Sequence, residues 1–374
     1  MRILLTAIGL LLTTATLYLL LWPVPIDPVA WEAPESDGLV DPFAPNDRLA
    51  PARGIPLGAH IGPEDVTAGS DGLLYATSKD GFVLQIDAWG KVHEFAEVGG
   101  RALGIETDAD GTLLVANAYV GIQRIALDGG VTILLDEFGG EPLVYADDLA
   151  VGDDGTIYFS DASTKFGAEQ YSGTYEGSLL DIMEHGGHGR IIAFNPATGE
   201  SRLVLDGLQF ANGVAISPDQ RYLLVAETGS YRILRHWIAG PAAGSTEVIL
   251  DNLPGFPDNI NNGLNGRYWI GLVAPRSDLL DSLSGNPFVR KIVQRLPEVF
   301  RPKAMPSSHV IAITGDGQVL ENMQDPAARF PALTGVYETR DALYLTSLFG
   351  NELGVLDKRD LLAGNYSIPS STRP

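Results

Sequence analysis

Carboxylate and amide side chains recur at four points in this 374-residue chain, each beside an apolar stretch that is typical of a buried strand. The four segments are GPEDV with Glu64 and Asp65, YADDLAV with Asp147 and Asp148, FANGVAIS with Asn212, and FPDNI with Asp258 and Asn259. Buried charges are costly unless they are paired or bind a metal ion. Mixed carboxylate and amide oxygens are the ligands that Ca²⁺ prefers. The pattern therefore predicts a calcium site, provided that the fold brings the four segments together.

A repeated hairpin predicts such a fold. A short apolar strand, a tight turn and a second apolar strand recur from residue 60 onward, with turn pairs at 71, 110, 154, 219, 265 and 341. Asp-Gly and similar pairs are strong hairpin signals, and a period of about 40–50 residues is typical of propeller blades. We predict an all-β, six-bladed β-propeller with insertions around residues 166–190 and 274–307. Unrelated β-sandwich hairpins would explain the turns but not the repeat.

The N-terminal segment predicts a membrane attachment. Residues 3–22 form an almost uncharged run of about twenty residues, the length that spans a bilayer core. We interpret residues 1–25 as a transmembrane anchor or signal segment and favour an uncleaved anchor, because no small-residue cleavage site follows. Residues 26–50 are predicted as a stiff, proline-rich stalk, 51–362 as the propeller and 363–374 as a tail. Positive charge before the run predicts that the propeller lies outside the cytoplasm.

The second insertion contains an amphipathic stretch over residues 287–303. Its apolar side chains fall at helical spacing, namely Phe288, Val289, Ile292, Val293 and Leu296, and its basic ones are Arg290, Lys291, Arg295, Arg301 and Lys303. Two interpretations remain open. The helix caps the propeller with its basic residues solvated, or it lies on the bilayer and its basic residues attract anionic headgroups.

Composition excludes several classes of protein. The net charge is −22, whereas a nucleic-acid binder needs a basic surface, so no nucleic-acid partner is expected. The chain has no cysteine, which excludes disulfides, zinc-thiolate sites and a cysteine nucleophile.

Three longer stretches carry a family resemblance. The segments YADDLAVGDDGTIYFSDASTKF, FANGVAISPDQRYLLVAETGSYRILRHW and LPGFPDNINNGLNGRYWIGL resemble the strictosidine synthase-like family, and the likeness extends over about residues 50–360. That family consists of six-bladed propellers related more distantly to paraoxonases and to gluconolactonases of the regucalcin type. The resemblance implies a catalytic calcium held by Glu64, Asp147, Asn212, Asp258 and Asn259. It also implies a structural calcium held by Asp65, Asp148 and the carbonyl near Ile105, although both carboxylates could equally make turn contacts or contacts that close the propeller.

The chain departs from these relatives at catalytic positions. Leu103 and Ala118 stand where paraoxonases have a histidine dyad, and Thr334 stands at the position of the strictosidine synthase glutamate, with Glu338 nearby. His309 is a candidate acid or base if its strand lines the channel.

Other polar residues are given structural roles. The loop histidines His185 and His188 are expected at the surface, and His60, His93 and His236 in ordinary strands. Ser160 and Ser163 of the SDAS motif lack the surroundings of a serine nucleophile, so they are interpreted as hydrogen-bonded residues at a strand end.

The leading functional hypothesis is a calcium-dependent hydrolase of the lactonase or arylesterase type that acts on a small hydrophobic substrate. The cation would polarise the substrate carbonyl, and Asp147 or Glu64 would receive a proton from water. An aromatic channel mouth is expected from Tyr119, Phe166, Phe256 and Phe349. Two alternatives are a non-catalytic membrane-tethered binding propeller and a bond-forming enzyme like strictosidine synthase.

Overall fold

The computed structural model describes residues 1–301 and 303–363, so Pro302 and the predicted tail after residue 363 lie outside the described residues. Within these residues six four-stranded antiparallel sheets form the blades of a β-propeller, which confirms the predicted fold class. The helix α1 (Arg2–Leu21) and the strand β1 (Arg53–Pro56) precede the blades.

The first three blades follow one another along the chain, each with its inner strand first. Blade 1 contains β2 (Val66–Ala68), β3 (Leu74–Thr77), β4 (Phe82–Ile86) and β5 (Val92–Glu97). Blade 2 contains β6 (Ala102–Thr107), β7 (Leu113–Asn117), β8 (Gly121–Ile125) and β9 (Val131–Leu135), and is followed by the small hairpin β10 (Glu137–Phe138) and β11 (Glu141–Pro142). Blade 3 contains β12 (Ala146–Val151), β13 (Ile157–Asp161), β14 (Gly189–Asn195) and β15 (Glu200–Leu208).

The remaining blades complete the ring. Blade 4 contains β16 (Ala211–Ile216), β17 (Tyr222–Glu227), β18 (Arg232–Trp237) and β19 (Thr246–Leu250). Blade 5 contains β20 (Gly255–Asn262), β21 (Arg267–Pro275), β22 (Ser308–Thr314) and β23 (Val319–Asp325). Blade 6 contains β24 (Leu333–Glu338), β25 (Ala342–Ser347) and β26 (Glu352–Asp357), and β1 pairs with β26 as its outer strand. The segment before the first blade therefore closes the ring.

All six predicted turn pairs lie between the first and second strands of a blade. The glycines of the three Asp-Gly pairs, Gly72, Gly111 and Gly155, adopt φ angles of +78°, +85° and +77°. Glycine reaches this region without a steric penalty, which explains why these dipeptides mark the hairpins so well.

Both predicted insertions lie between the second and third strands of a blade. The blade 3 insertion contains α2 (Thr174–Glu184), and the blade 5 insertion contains α3 (Asp278–Ser282), α4 (Pro287–Arg295) and a 3₁₀ turn (Glu298–Phe300). Two further 3₁₀ turns (Thr228–Ser230 and Leu264–Gly266) and the last helix, α5 (Lys358–Ala363), complete the elements.

The proline-rich segment after α1 is docked on the propeller. Ile26 is buried against Phe166 and Leu180 of the blade 3 insertion. Trp31 stacks on His185 with 4.0 Å between the ring centroids, and Leu49 packs into the core shared by blades 5 and 6. The segment is therefore a strap across the insertions rather than a free spacer.

Two basic residues of α4, Arg290 and Arg295, are buried, which corrects the expectation that they are solvated or bound to headgroups. Arg290 is fully buried and donates to the carbonyls of Met183 and Ser284 at 2.9 and 3.0 Å. Arg295 is also buried, and Lys291 is paired with Asp27 at 2.6 Å. Burying the Arg290 guanidinium is tolerable because backbone carbonyls accept from both of its Nη atoms, although its Nε lacks an acceptor.

Candidate functional site

The predicted ligands lie at β-bulges where the inner strands begin. The strand register shifts between Ala146 and Leu149, between Ala211 and Val214, and between Pro257 and Ile260, so the bulges contain Asp147 with Asp148, Asn212 with Gly213, and Asp258 with Asn259. A bulge redirects a side chain out of the pleat. Glu64 and Asp65 occupy the matching place just before β2.

A cavity of about 690 Å³ opens above these bulges. Its polar residues at the inner strands are Glu64, Asp147, Asn212 and Asp258. Its walls come largely from the two insertions and are apolar, with Leu179, Ile182, Met183, Leu279, Leu280, Leu283 and Val293 among them. A mostly apolar cavity with a few convergent polar groups is typical of a small-molecule site.

Three of the five predicted ligands have a buried oxygen without a hydrogen-bond donor, namely Glu64 Oε2, Asn212 Oδ1 and Asn259 Oδ1. The Asn259 amide donates to the Glu64 carbonyl at 3.2 Å, which fixes its orientation. An unsatisfied buried oxygen is costly, and a hard cation removes that cost. The oxygens at this site therefore fit a calcium ion.

The acidic side chains repel one another. Burial, and then repulsion from Asp258 and Asp147, raises the pKa of Glu64 well above its ordinary value. Burial also raises the pKa of Asp147, and it raises that of Asp258 to about 7 although Asn212 and Arg101 oppose the shift. Among the described residues no three acidic or histidine side chains form a metal cluster by themselves, so a cation would also need the amide oxygens.

The raised pKa values predict a pH-dependent stability. Asp258 has a pKa of about 7 in the folded chain and 3.8 as its ordinary value, so folding takes up a proton between these limits. The stability it contributes is present below about pH 4 and is lost as the pH rises through about 7, with a slope of about 1.4 kcal/mol per pH unit per proton. Denaturant unfolding of calcium-free protein should show this fall, and saturating calcium should remove it. A flat profile without calcium would contradict this electrostatic picture.

The side chains of Asp65 and Asp148 already accept hydrogen bonds from main-chain N–H groups. Asp65 Oδ2 accepts from the Ile105 amide at 3.0 Å, and Asp148 Oδ2 accepts from the Val214 amide at 2.8 Å. Each bond joins the inner strands of neighbouring blades. These bonds match the alternative in which the two carboxylates make contacts that close the propeller.

His309 does not reach the channel, which corrects its assignment as a catalytic residue. It lies on β22, the third strand of blade 5, and its Nε2 contacts Asn322 Oδ1 at 2.9 Å. Burial lowers its pKa to about 4. The sequence pattern identified a strand here but not its place within the blade.

Two of the four aromatic residues predicted at the channel mouth line the cavity. Phe256 and Phe349 line the cavity. Phe166 is instead buried against the strap, and Tyr119 packs against Leu103 and Ala118 without lining the cavity. Leu103 does line the cavity and contributes an apolar side chain to it.

The other polar residues singled out in the sequence have structural partners. Contrary to the surface expectation, His185 is buried beneath Trp31, and His188 contacts Glu184 at 2.6 Å. Ser160 Oγ accepts from the Asp148 amide at 3.0 Å, and Ser163 donates to Asp181. None of these four residues lines the cavity.

Sequence reasoning missed Arg101. This guanidinium is buried, its Nε and Nη2 atoms lack acceptors, and its charge opposes the raised pKa values of Glu64 and Asp147. The repeat contains a pattern from which this position could have been predicted. Arg101 stands two residues before Leu103, as Tyr145 stands before Asp147, and Tyr145 lines the cavity.

Comparisons with known proteins identify the family. The strictosidine synthase family model matches residues 147–241, and the strictosidine synthase-like N-terminal model matches residues 41–86. The chain is 34% identical over 321 residues to protein strictosidine synthase-like 6 of Arabidopsis thaliana, which covers 83% of each chain. The chain belongs to the strictosidine synthase-like family.

Animal proteins are also similar to this chain. The adipocyte plasma membrane-associated protein of Homo sapiens is 31% identical over 348 residues, covering 86% of this chain and 82% of the relative. That of Salmo salar is 31% identical over 382 residues, covering 95% and 89%. In this chain, α1 is long and apolar enough to cross a membrane.

Solved structures show the same fold. A gluconolactonase of Xanthomonas campestris has a TM-score of 0.61 at 19% identity, covering 82% of this chain and 88% of that chain. Regucalcin of Agrobacterium tumefaciens, a calcium-binding protein, has a TM-score of 0.53 at 15% identity, covering 82% and 90%.

Proposed function

We propose that this strictosidine synthase-like propeller is a calcium-dependent hydrolase of hydrophobic esters or lactones. The observation that carries the proposal is the cavity floor, where Glu64 and Asn212 have unsatisfied buried oxygens beneath apolar walls. Asn259, whose amide donates to the Glu64 carbonyl, has a further unsatisfied oxygen. The names of the gluconolactonase and regucalcin structures support it as analogies of fold.

The chain's own groups suit the two parts of such a reaction. Calcium, when bound, would supply positive charge beside the substrate carbonyl and its developing oxyanion. Asp147 and Glu64 line the cavity floor, where either carboxylate would accept a proton of the attacking water. The apolar walls, including Leu179 and Leu283, would bind an acyl or aryl group and exclude other water.

The bond-forming alternative finds less support in the structure. Thr334 is buried and donates to the Glu64 carbonyl at 2.6 Å, so it offers no carboxylate. Glu338 accepts from Lys358 at 2.5 Å and from the Trp269 indole at 2.9 Å, and it does not line the cavity. A non-catalytic binding propeller remains the rival, because apolar Leu103 stands where a histidine would assist hydrolysis.

We infer a single-pass membrane protein anchored by α1, with the propeller outside the cytoplasm. Support comes from the apolar run and from Arg2 as the positive charge that precedes it.

Hydrolysis of phenyl acetate and of a long-chain lactone tests the proposal. Turnover should require calcium and stop when a chelator is added. The Asn212→Ala variant should lose turnover while its circular dichroism spectrum stays unchanged. Leu103→His alone should not create paraoxonase-like activity, because Ala118 leaves the second histidine missing. Calcium binding without turnover of any ester or lactone would favour the binding propeller.

A further inference from the structure

The blade 5 insertion exposes a set of apolar side chains, while its arginines Arg290 and Arg295 are buried. Six exposed side chains form what we call the apolar collar: Leu279, Phe288, Val289, Val299, Phe300 and Met305. Val299 and Phe300 are 77% and 71% exposed. Large exposed apolar patches mark surfaces that meet a membrane or another protein.

The collar is fixed at the end of the membrane helix. Arg295 donates to the carbonyls of Leu19 and Trp22, in the last turn of α1. These carbonyls have no intrahelical partner, and a cation is favoured beside them. Trp22 is of the type enriched at the membrane interface. The collar therefore lies where α1 leaves the bilayer. This position indicates that the collar contacts lipid rather than another protein.

The collar and the cavity share residues. Leu279 and Met305 belong to both, and Val293 of α4 and Lys303 lie on the cavity wall. The Lys303 side chain is 70% exposed, and its ammonium lies 4.0 Å from Glu298 Oε1. The cavity is thus bordered by the same segment that faces the membrane.

We propose that the apolar collar lies in the bilayer interface beside α1 and that the cavity takes its substrates from the membrane. The part about substrates rests on the proposed hydrolase, and it names their class as amphiphilic esters or lactones with a long acyl chain. Such molecules partition into the bilayer, so a mouth at the interface meets them at high local concentration.

Spin labelling of the full chain tests the location of the collar without relying on activity. The chain has no cysteine, so Val299→Cys and Phe300→Cys each provide one labelling site. Leu203→Cys and Val248→Cys are matched controls, since both residues are exposed apolar side chains on the outer strands β15 and β19. Each variant is reconstituted in vesicles of phosphatidylcholine with phosphatidylglycerol. Collisions with oxygen and with a water-soluble nickel chelate are then compared.

The ratio of the collision rate with oxygen to that with the nickel chelate should be several-fold higher for the collar labels than for the control labels. The reason is that oxygen concentrates in the bilayer. Equal behaviour of collar and control labels would overturn the proposal. Protection of the collar labels from both reagents would also overturn it, since that outcome indicates a second copy of the chain on this surface.

A second comparison tests substrate entry. In Val299→Asp and Phe300→Asp, hydrolysis of a long-chain ester dissolved in vesicles should fall about tenfold, because burying one such side chain stabilises by more than 1.4 kcal/mol. Phenyl acetate turnover should not change, since neither residue lines the cavity. Val248→Asp should change neither rate. Equal loss for both substrates would contradict membrane entry, whereas absence of turnover in the unmodified chain would contradict the proposed hydrolase alone.

Discussion

Glu64→Gln should lower calcium affinity at least about 100-fold, since even outer partners of metal ligands contribute 10–100-fold. The same change should stabilise the calcium-free protein. Glu64 is buried beside Asp258 and Asp147, whose repulsion raises its pKa, and a neutral amide removes that repulsion. Calorimetric calcium titration and denaturant unfolding, with and without calcium, measure the two effects.

Glu338→Gln is the matched control. It makes the same chemical change at another buried glutamate, which is held by Lys358 and Trp269 far along β24 from the cavity. The Glu338→Gln variant should lose stability both with and without calcium, and its calcium affinity should not change. Equal calcium affinity in Glu64→Gln and the unmodified chain would refute the assignment of the floor as the cation site.

Arg290→Met should destabilise the protein by about 3–5 kcal/mol, the cost of breaking a buried polar network. The Arg290 guanidinium donates to carbonyls of Met183, Val29 and Ser284, which belong to α2, to the strap and to the segment before α4. Methionine fills similar space but leaves these carbonyls without a donor. Equilibrium denaturant unfolding in detergent measures the change.

Lys291→Met provides the comparison within the same helix. Lys291 is partly exposed and its partner Asp27 is 83% exposed, so this ion pair should contribute at most about 1 kcal/mol. If Arg290→Met lowered the free energy of unfolding no more than Lys291→Met does, the buried guanidinium would not be what holds the insertion together.

The blades were predictable because their signals are local. Each Asp-Gly or similar turn reports its own hairpin, and the repeat supplies the ring without knowledge of distant contacts. The site could be located for the same reason, since the acidic and amide pairs stand at equivalent places in the repeat. Asp258 and Glu64 are far apart in sequence, yet one architecture brings both to the channel.

Other features depend on contacts that no local pattern reports. The amphipathic pattern of α4 located a helix but gave no sign that Arg290 and Arg295 find carbonyl acceptors on α2, the strap and α1. His309 lies in a strand as expected, but only the pairing of β22 with β21 and β23 excludes it from the channel. The prolines of residues 26–50 predict an extended chain, whereas Ile26 shows that the chain is docked.

The most direct test of the account is the hydrolysis rate measured against the calcium bound per chain in the same samples. Metal analysis of the purified full chain in detergent gives the occupancy as calcium is removed and restored. We predict a rate that rises in proportion to occupancy and reaches its maximum at one calcium per chain, because Asp65 and Asp148 already accept hydrogen bonds from main-chain N–H groups. A rate that persists when calcium has been removed would contradict the account.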